Sequence, residues 1–128
     1  MHGHRCRQTS DRRTVRAAFA AGTNNDLAAF QALVAPGFYA FDGGRRYEGD
    51  ALIKVVIDMH NHGYKHVWSV PNPEIEVDCS TAWIAYENKG SLTTPDGMTQ
   101  DRVCLESAFL VKHDLHWLLR FIHSTRVQ

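Results

Sequence analysis

Three side chains in this sequence stand where acid–base chemistry would want them, inside or at the polar end of an apolar strand. The stretch "GFYAFD" closes on Asp42, "CLESAF" carries Glu106 beside Ser107, and "HWLLRFIHSTRV" reaches His123 just before Ser124, Thr125 and Arg126. A carboxylate beside an apolar cavity has its pKa raised toward the working pH and can shuttle a proton at a carbon next to a carbonyl. An imidazole in the same wall can act as base or hydrogen-bond donor. Each residue also has a plainer reading. Asp42 precedes Gly43-Gly44 and can bond its own backbone in a turn. His123 can be a structural histidine bonded to a neighbouring element, and Glu106 a hydrogen-bonded or edge-exposed carboxylate.

The histidine-rich stretch "MHNHGYKH" invites a metal reading that helix geometry opposes. Residues i and i+2 on a helix point roughly 200° apart, so His60 and His62 do not readily share one ion, unlike histidines four apart. His66 lies beyond Gly63, on a strand, while His60 flanks an apolar helical stripe from which it can reach a cavity rim. No metal and no cofactor are expected, since proton transfer at carbon asks only for placed groups in a dry cavity. The sequence contains no glycine-rich phosphate loop, no GxSxG elbow and no basic–aromatic patch for nucleic acid. Cys6, Cys79 and Cys104 form an odd, widely separated set without CxxC, which fits reduced thiols in a cytosolic protein. Cys79 and Cys104 fall in apparent strands, as small buried groups.

The elements that must hold these groups follow from periodicity. Val15, Ala18 and Phe19 recur at helical spacing after the caps Ser10 and Asp11, until Gly22. Asp26 can cap a second helix with Leu27, Phe30, Leu33 and Val34 on one face, ended by Pro36. "GFYAFD" is a short alternating strand turned by Gly43-Gly44. Asp50 caps a third helix whose stripe is Leu52, Val55, Val56 and Met59, closed by Gly63. From there the period is two: "YKHVWSV", "EIEVD", "STAWIAYENKGSL", "RVCLESAFLVK" and "HWLLRFIHSTRV", joined by "PNP", "TPDG" and "HDL". This order predicts an α+β domain. Three N-terminal helices pack on one face of a curved antiparallel sheet and leave a cone-shaped cavity, open at one end.

With 128 residues the chain makes one domain over 11–128, preceded by a flexible tail over 1–10. Such a chain can bury roughly two-thirds of its unfolded surface. Fourteen basic and fourteen acidic residues cancel, so no overall field draws it to nucleic acid or to an anionic membrane. No stretch has the form of a signal peptide or approaches the roughly 20 apolar residues of a membrane span, and a cytoplasmic protein is expected.

Three segments carry a family resemblance: "NNDLAAFQALVAPGFYAFDGGRRYEGDAL", "STAWIAYE" and "LESAFLVKHDLHWLLRFIHSTRV". Over residues 13–127 the chain resembles the nuclear transport factor 2-like superfamily, in particular its SnoaL-like members with a cystatin-like cone. One departure is "KHDLH", where the family's closing hairpin usually turns through glycine and acidic residues. The superfamily holds ketosteroid isomerases, polyketide cyclases, dehydratases, kinase-hub oligomerisation domains and transport factors, so the fold does not choose among activities. The resemblance implies that Asp42 stands at the position of the isomerases' general base. It also implies that the histidine of the last strand, His123, looks into the pocket. Helix 1 offers no tyrosine, which counts against a steroid isomerase as such.

Side chains alternate across a strand. Trp117, Leu119, Phe121, His123 and Thr125 therefore share one face of the last strand, and Leu118, Arg120, Ile122, Ser124 and Arg126 the other. The first set is expected to line the pocket, and a one-residue slip would exchange the two. The expected site has Asp42 and His123 as proton-moving groups, with Tyr39, Trp68, Tyr86, Glu106, Phe121 and His60 around them. The expected ligand is a small apolar or aromatic organic molecule, handled by cofactor-independent cyclase, isomerase or dehydratase chemistry. A non-catalytic ligand-binding or oligomerisation module, like the kinase hub, is the alternative. Either would form a homodimer by pairing open sheet faces.

Overall fold

The computed structural model describes residues 12–127; the tail expected over 1–10, with the caps Ser10 and Asp11, lies outside them. The order is α1 (Arg12–Thr23), α2 (Leu27–Gln31), β1 (Val34–Asp42), β2 (Arg45–Glu48), α3 (Ala51–Asn61), β3 (Lys65–Val67), β4 (Glu74–Asp78), β5 (Thr81–Thr93), β6 (Thr99–His113) and β7 (His116–Arg126). Among the described residues no helix is long and apolar enough to cross a membrane.

The second helix is shorter than its apolar face suggests. Asp26 caps it through an Oδ1 that accepts from the Ala29 amide at 3.0 Å, but it ends at Gln31. Val34, expected on the helix, instead opens β1 opposite Leu119. The proline at position 36 holds the residue before it out of the helical region. Two of the three helices are therefore long. The third helix begins after Asp50, whose carboxylate accepts from Gln31 at 3.0 Å instead of capping its own helix.

One seven-stranded sheet runs β2-β1-β7-β6-β5-β3, with β4 also paired to β5. Every pairing is antiparallel except β1 with β7, which is parallel, so the sheet is mixed, not purely antiparallel as expected. Parallel neighbours need a long crossover, and here the whole chain between Asp42 and His116 serves as one. Trp117, Leu119, Leu110 and Ile84 from the sheet meet Val15, Phe30 and Ile53 from the helices in the core.

The closing hairpin keeps its pairing despite the unusual turn. Lys112 faces Trp117 and His113 faces His116, so Asp114-Leu115 is a two-residue turn. Both residues have positive φ, 49° and 71°, the conformation such hairpins need and usually give to glycine.

Two irregularities shape the sheet. On β7, Phe121 faces Phe109 but Leu119 faces Leu110, so Arg120 has no residue opposite it and forms a bulge. The partner irregularity lies on β1 between Val34 and Tyr39, where the Arg120 guanidinium donates to the Gly37 carbonyl. On β5, Gly90 lets the chain before β4 cross close by, for a Cβ there would lie 1.8 Å from the Val67 carbonyl oxygen. Gly90→Ala should therefore force β3 from β5 and lower the unfolding free energy by about 2 kcal/mol, read as a lower urea midpoint.

Candidate functional site

Helices α1 and α3 and the inner face of the sheet enclose a cavity of about 450 Å³. One side is apolar: Val15, Phe19, Leu52, Ile53, Val56 and Met59 come from the helices, with Trp68 from the chain after β3. The stripe predicted on α3 reaches this cavity. Its solvent edge, Val55, is 43% exposed, while the unpredicted Ile53 is the buried residue of the helix.

The sheet side is polar, and strand register explains why. Asp42 pairs with Ser124, Ser124 with Glu106, and Glu106 with Tyr86, one residue from each of β1, β7, β6 and β5. These four form a single row across the inner face. Two strand spacings put Asp42 and Glu106 roughly 10 Å apart along the backbone. Below them Asn88, Cys104 and Arg126 make a second row, and Arg102 faces Gly90 beyond.

The bulge at Arg120 decides which residues of β7 join these rows. Trp117 and Leu119 point inward as parity predicts, but past the extra residue the faces exchange, so Ile122, Ser124 and Arg126 line the cavity. His123 and Phe121 are carried to the outer face, which corrects their expected placement in the pocket. His123 is exposed and packs edge-on against Phe41. Phe121 packs on Tyr39 with ring centroids 4.9 Å apart. Tyr39 is thereby also outside the cavity, alternating with the inward Phe38 and Ala40.

Asp42 lines the cavity at its rim, half-buried beside Gly43-Gly44. Burial pushes its carboxyl above the ordinary aspartate range, and the charge of His123, across the strand pair, pulls it partly back. Glu106 is the deeper acid. It accepts from the Ser124 hydroxyl at 2.6 Å and from the Asn88 amide at 3.3 Å, whose Oδ1 is oriented by the Ser69 amide. Burial nevertheless raises it, these hydrogen bonds lower it, and the Asp42 charge raises it again. The Asp42 charge thus adds to burial in disfavouring the ionised form of Glu106. The Tyr86 hydroxyl is buried near the same carboxyl but outside good hydrogen-bond geometry. Burial and that neighbouring acid push its pKa far upward, so it stays a neutral phenol.

Trp68 lines the cavity as expected, and Tyr86 backs it from the core. His60 does not line it. Its ring bonds instead to His66, which does, through Nε2 and Nδ1 at 2.9 Å. Sequence reasoning passed over His66, Ser124, Arg102 and Cys104 as site residues. The signal was present in β6, where Arg102, Cys104 and Glu106 alternate on one face between apolar neighbours. Cys104 is a free thiol whose pKa is raised by burial. Cys79 lies in the β4–β5 turn, not in a strand, and is disulfide-bonded, which corrects the expectation of a buried, reduced thiol there; Cys6 lies outside the described residues. Among the described residues no three His, Cys, Asp or Glu side chains converge on a point that a cation could fill.

No protein-family model and no curated protein matches the sequence. Solved structures match over most of the chain. An uncharacterised protein with a cystatin-like fold from Caulobacter vibrioides is 17% identical, with 91% of this chain and 87% of that one covered and a TM-score of 0.71. A ketosteroid isomerase-like protein from Erwinia carotovora atroseptica is 15% identical, with 91% and 93% covered and a TM-score of 0.73. The association domain of C. elegans CaMKII is 18% identical, with 88% and 90% covered and a TM-score of 0.72. At these identities it is the architecture that is shared: the chain has a cystatin-like fold.

Proposed function

We propose that the cone binds a small, largely apolar organic molecule and moves a proton at one of its carbon atoms, in the manner of a cofactor-independent isomerase, cyclase or dehydratase. The observation that carries this reading is the position of Asp42. It is a half-buried carboxyl on the polar wall of a cavity whose helical side is apolar, its pKa raised by burial. A base near its own pKa exchanges protons with a carbon acid more effectively than one locked in either state. Glu106, deeper in the same row, supplies the partner acid: held by Ser124 and Asn88, it can keep a proton to donate toward a developing enolate oxygen. His123 enters only through its charge on Asp42.

The alternative, a non-catalytic oligomerisation module, draws on the other face of the sheet. Trp83 pairs with Phe109, Phe109 with Phe121 and Phe121 with Tyr39, an aromatic row across four strands. Trp83 and Phe109 are 46% and 39% exposed, and Leu105 beside them 49%. A contiguous apolar patch of this kind favours pairing with a second copy, and a homodimer through this face is compatible with either reading of the cavity.

Three outcomes are expected. In D2O, the wild type should catalyse deuterium incorporation beside the carbonyl of compact cyclic ketones, followed by mass spectrometry, and Asp42→Asn should slow it about a hundredfold; equal rates would sink the acid–base reading. The raised Asp42 carboxyl binds its proton more tightly in the folded state. Its stabilising contribution is complete below the ordinary aspartate value of 3.8 and is lost as pH rises through the folded value. Asp42→Asn should therefore melt above wild type at pH 7, the gap closing as the pH approaches 3.8. Phe109→Asp should shift a dimer to a monomer in sedimentation velocity while leaving cavity ligands bound; an unchanged mass would exclude this face as the interface.

A further inference from the structure

A chain of hydrogen bonds runs from the surface to the cavity at the end opposite the carboxyl row. Asn25, held at φ 57° after α1, places Oδ1 2.6 Å from His60 Nδ1. His60 Nε2 lies 2.9 Å from His66 Nδ1. An amide oxygen only accepts, so His60 carries its proton on Nδ1 and presents Nε2 as a lone pair. That lone pair requires a proton on His66 Nδ1. The His66 imidazole is neutral at pH 7, pushed down to about 4 by burial, by His60 and by Arg102. With Nδ1 protonated, Nε2 is bare.

The bare nitrogen has no partner among the described residues and is open to solvent, and the ring lines the cavity. The positive charge of Arg102 reaches this ring and disfavours its protonation. Arg102 itself donates to Gln100 at 3.4 Å. Trp68 stacks on His66 at 4.8 Å with the planes 12° apart, and Phe19 leans on Trp68 at 5.6 Å. An acceptor set in an aromatic recess favours a ligand that brings a donor over one of the same shape that does not.

We propose that His66 is a ligand-binding residue whose Nε2 accepts a hydrogen bond from the hydroxyl of an aromatic ligand, with Asn25 and His60 as positioning residues that fix its tautomer. The proposal rests on the small-molecule reading of the cavity and names the class of molecule it takes. The hydroxyl engages His66 while the aromatic body lies against Trp68 and the apolar stripe of α3.

Two measurements test it. Imidazole nitrogen NMR should find the His66 proton on Nδ1. Asn25→Ala should spread it over both nitrogens, and Asn25→Asp, whose carboxylate can only accept, should restore it. Fluorescence titration should show the wild type binding both naphthalene and 2-naphthol, the latter about tenfold tighter, as one added hydrogen bond predicts. His66→Phe, which keeps the stack on Trp68, should bind both equally with naphthalene affinity unchanged. Equal affinities in the wild type, a preference that survives His66→Phe, or a His66 proton on Nε2 each overturn the proposal and leave the pocket reading standing. An Asn25→Ala tautomer identical to wild type overturns the positioning role. Failure of both compounds to bind at all overturns the pocket reading and the proposal with it.

Discussion

The extra residue in the last strand is the constraint on which the rest of this structure depends. Arg120 has no residue opposite it on β6, and its guanidinium donates to Gly37 on β1 while lying 5.5 Å from the Tyr39 ring centre. Without it, alternation would carry Phe121, His123 and Thr125 inward after Trp117 and Leu119. A phenyl ring would then occupy the space that Ile122 and Ser124 border, and Glu106 would lose the hydroxyl that bonds it. A one-residue shift exchanges every side chain between faces. The bulge makes that exchange halfway along a single strand, so β7 builds core at one end and cavity wall at the other.

The two faces of the sheet divide the work. Inside, the row Asp42–Ser124–Glu106–Tyr86 concentrates polar groups in a place where desolvation is costly. The cost is limited because Glu106 has two donors and can hold a proton, and because Asp42 keeps contact with the rim. Outside, the row Trp83–Phe109–Phe121–Tyr39 concentrates rings that the single chain leaves in water. Both rows rest on the same registers, so a substitution that slipped one pairing would disturb the acids and the aromatic face together.

Much of this was legible in the sequence, and what was not has a definite cause. The helical stripes of α1 and α3, the Gly43-Gly44 turn and the long strands follow from period and capping, which are local. That the cavity-lining Asp42 shares a face with Phe38 and Ala40 follows from alternation, while its expected place in the pocket came from the family resemblance. His123, Phe121 and Tyr39 were misplaced because parity propagates only as far as the next bulge, and Arg120 carries no glycine or proline to announce one. The parallel pairing of β1 with β7 was hidden for a related reason: it joins segments with no turn between them. The histidine pair was half seen. Helix geometry separated His60 from His62, but only the fold around Gly63 brings His66 back to meet His60.

The place of β7 in the sheet has a consequence for biogenesis. It lies between β6, its hairpin partner, and β1, which precedes every other strand in the sequence. A nascent chain emerging from the ribosome without it has two unsatisfied strand edges and half a hydrophobic layer exposed, a state prone to pairing with other chains. Such distant closures are also slow, because loop entropy must be lost before the contacts form. Co-translational assistance should matter most in the interval before β7 inserts.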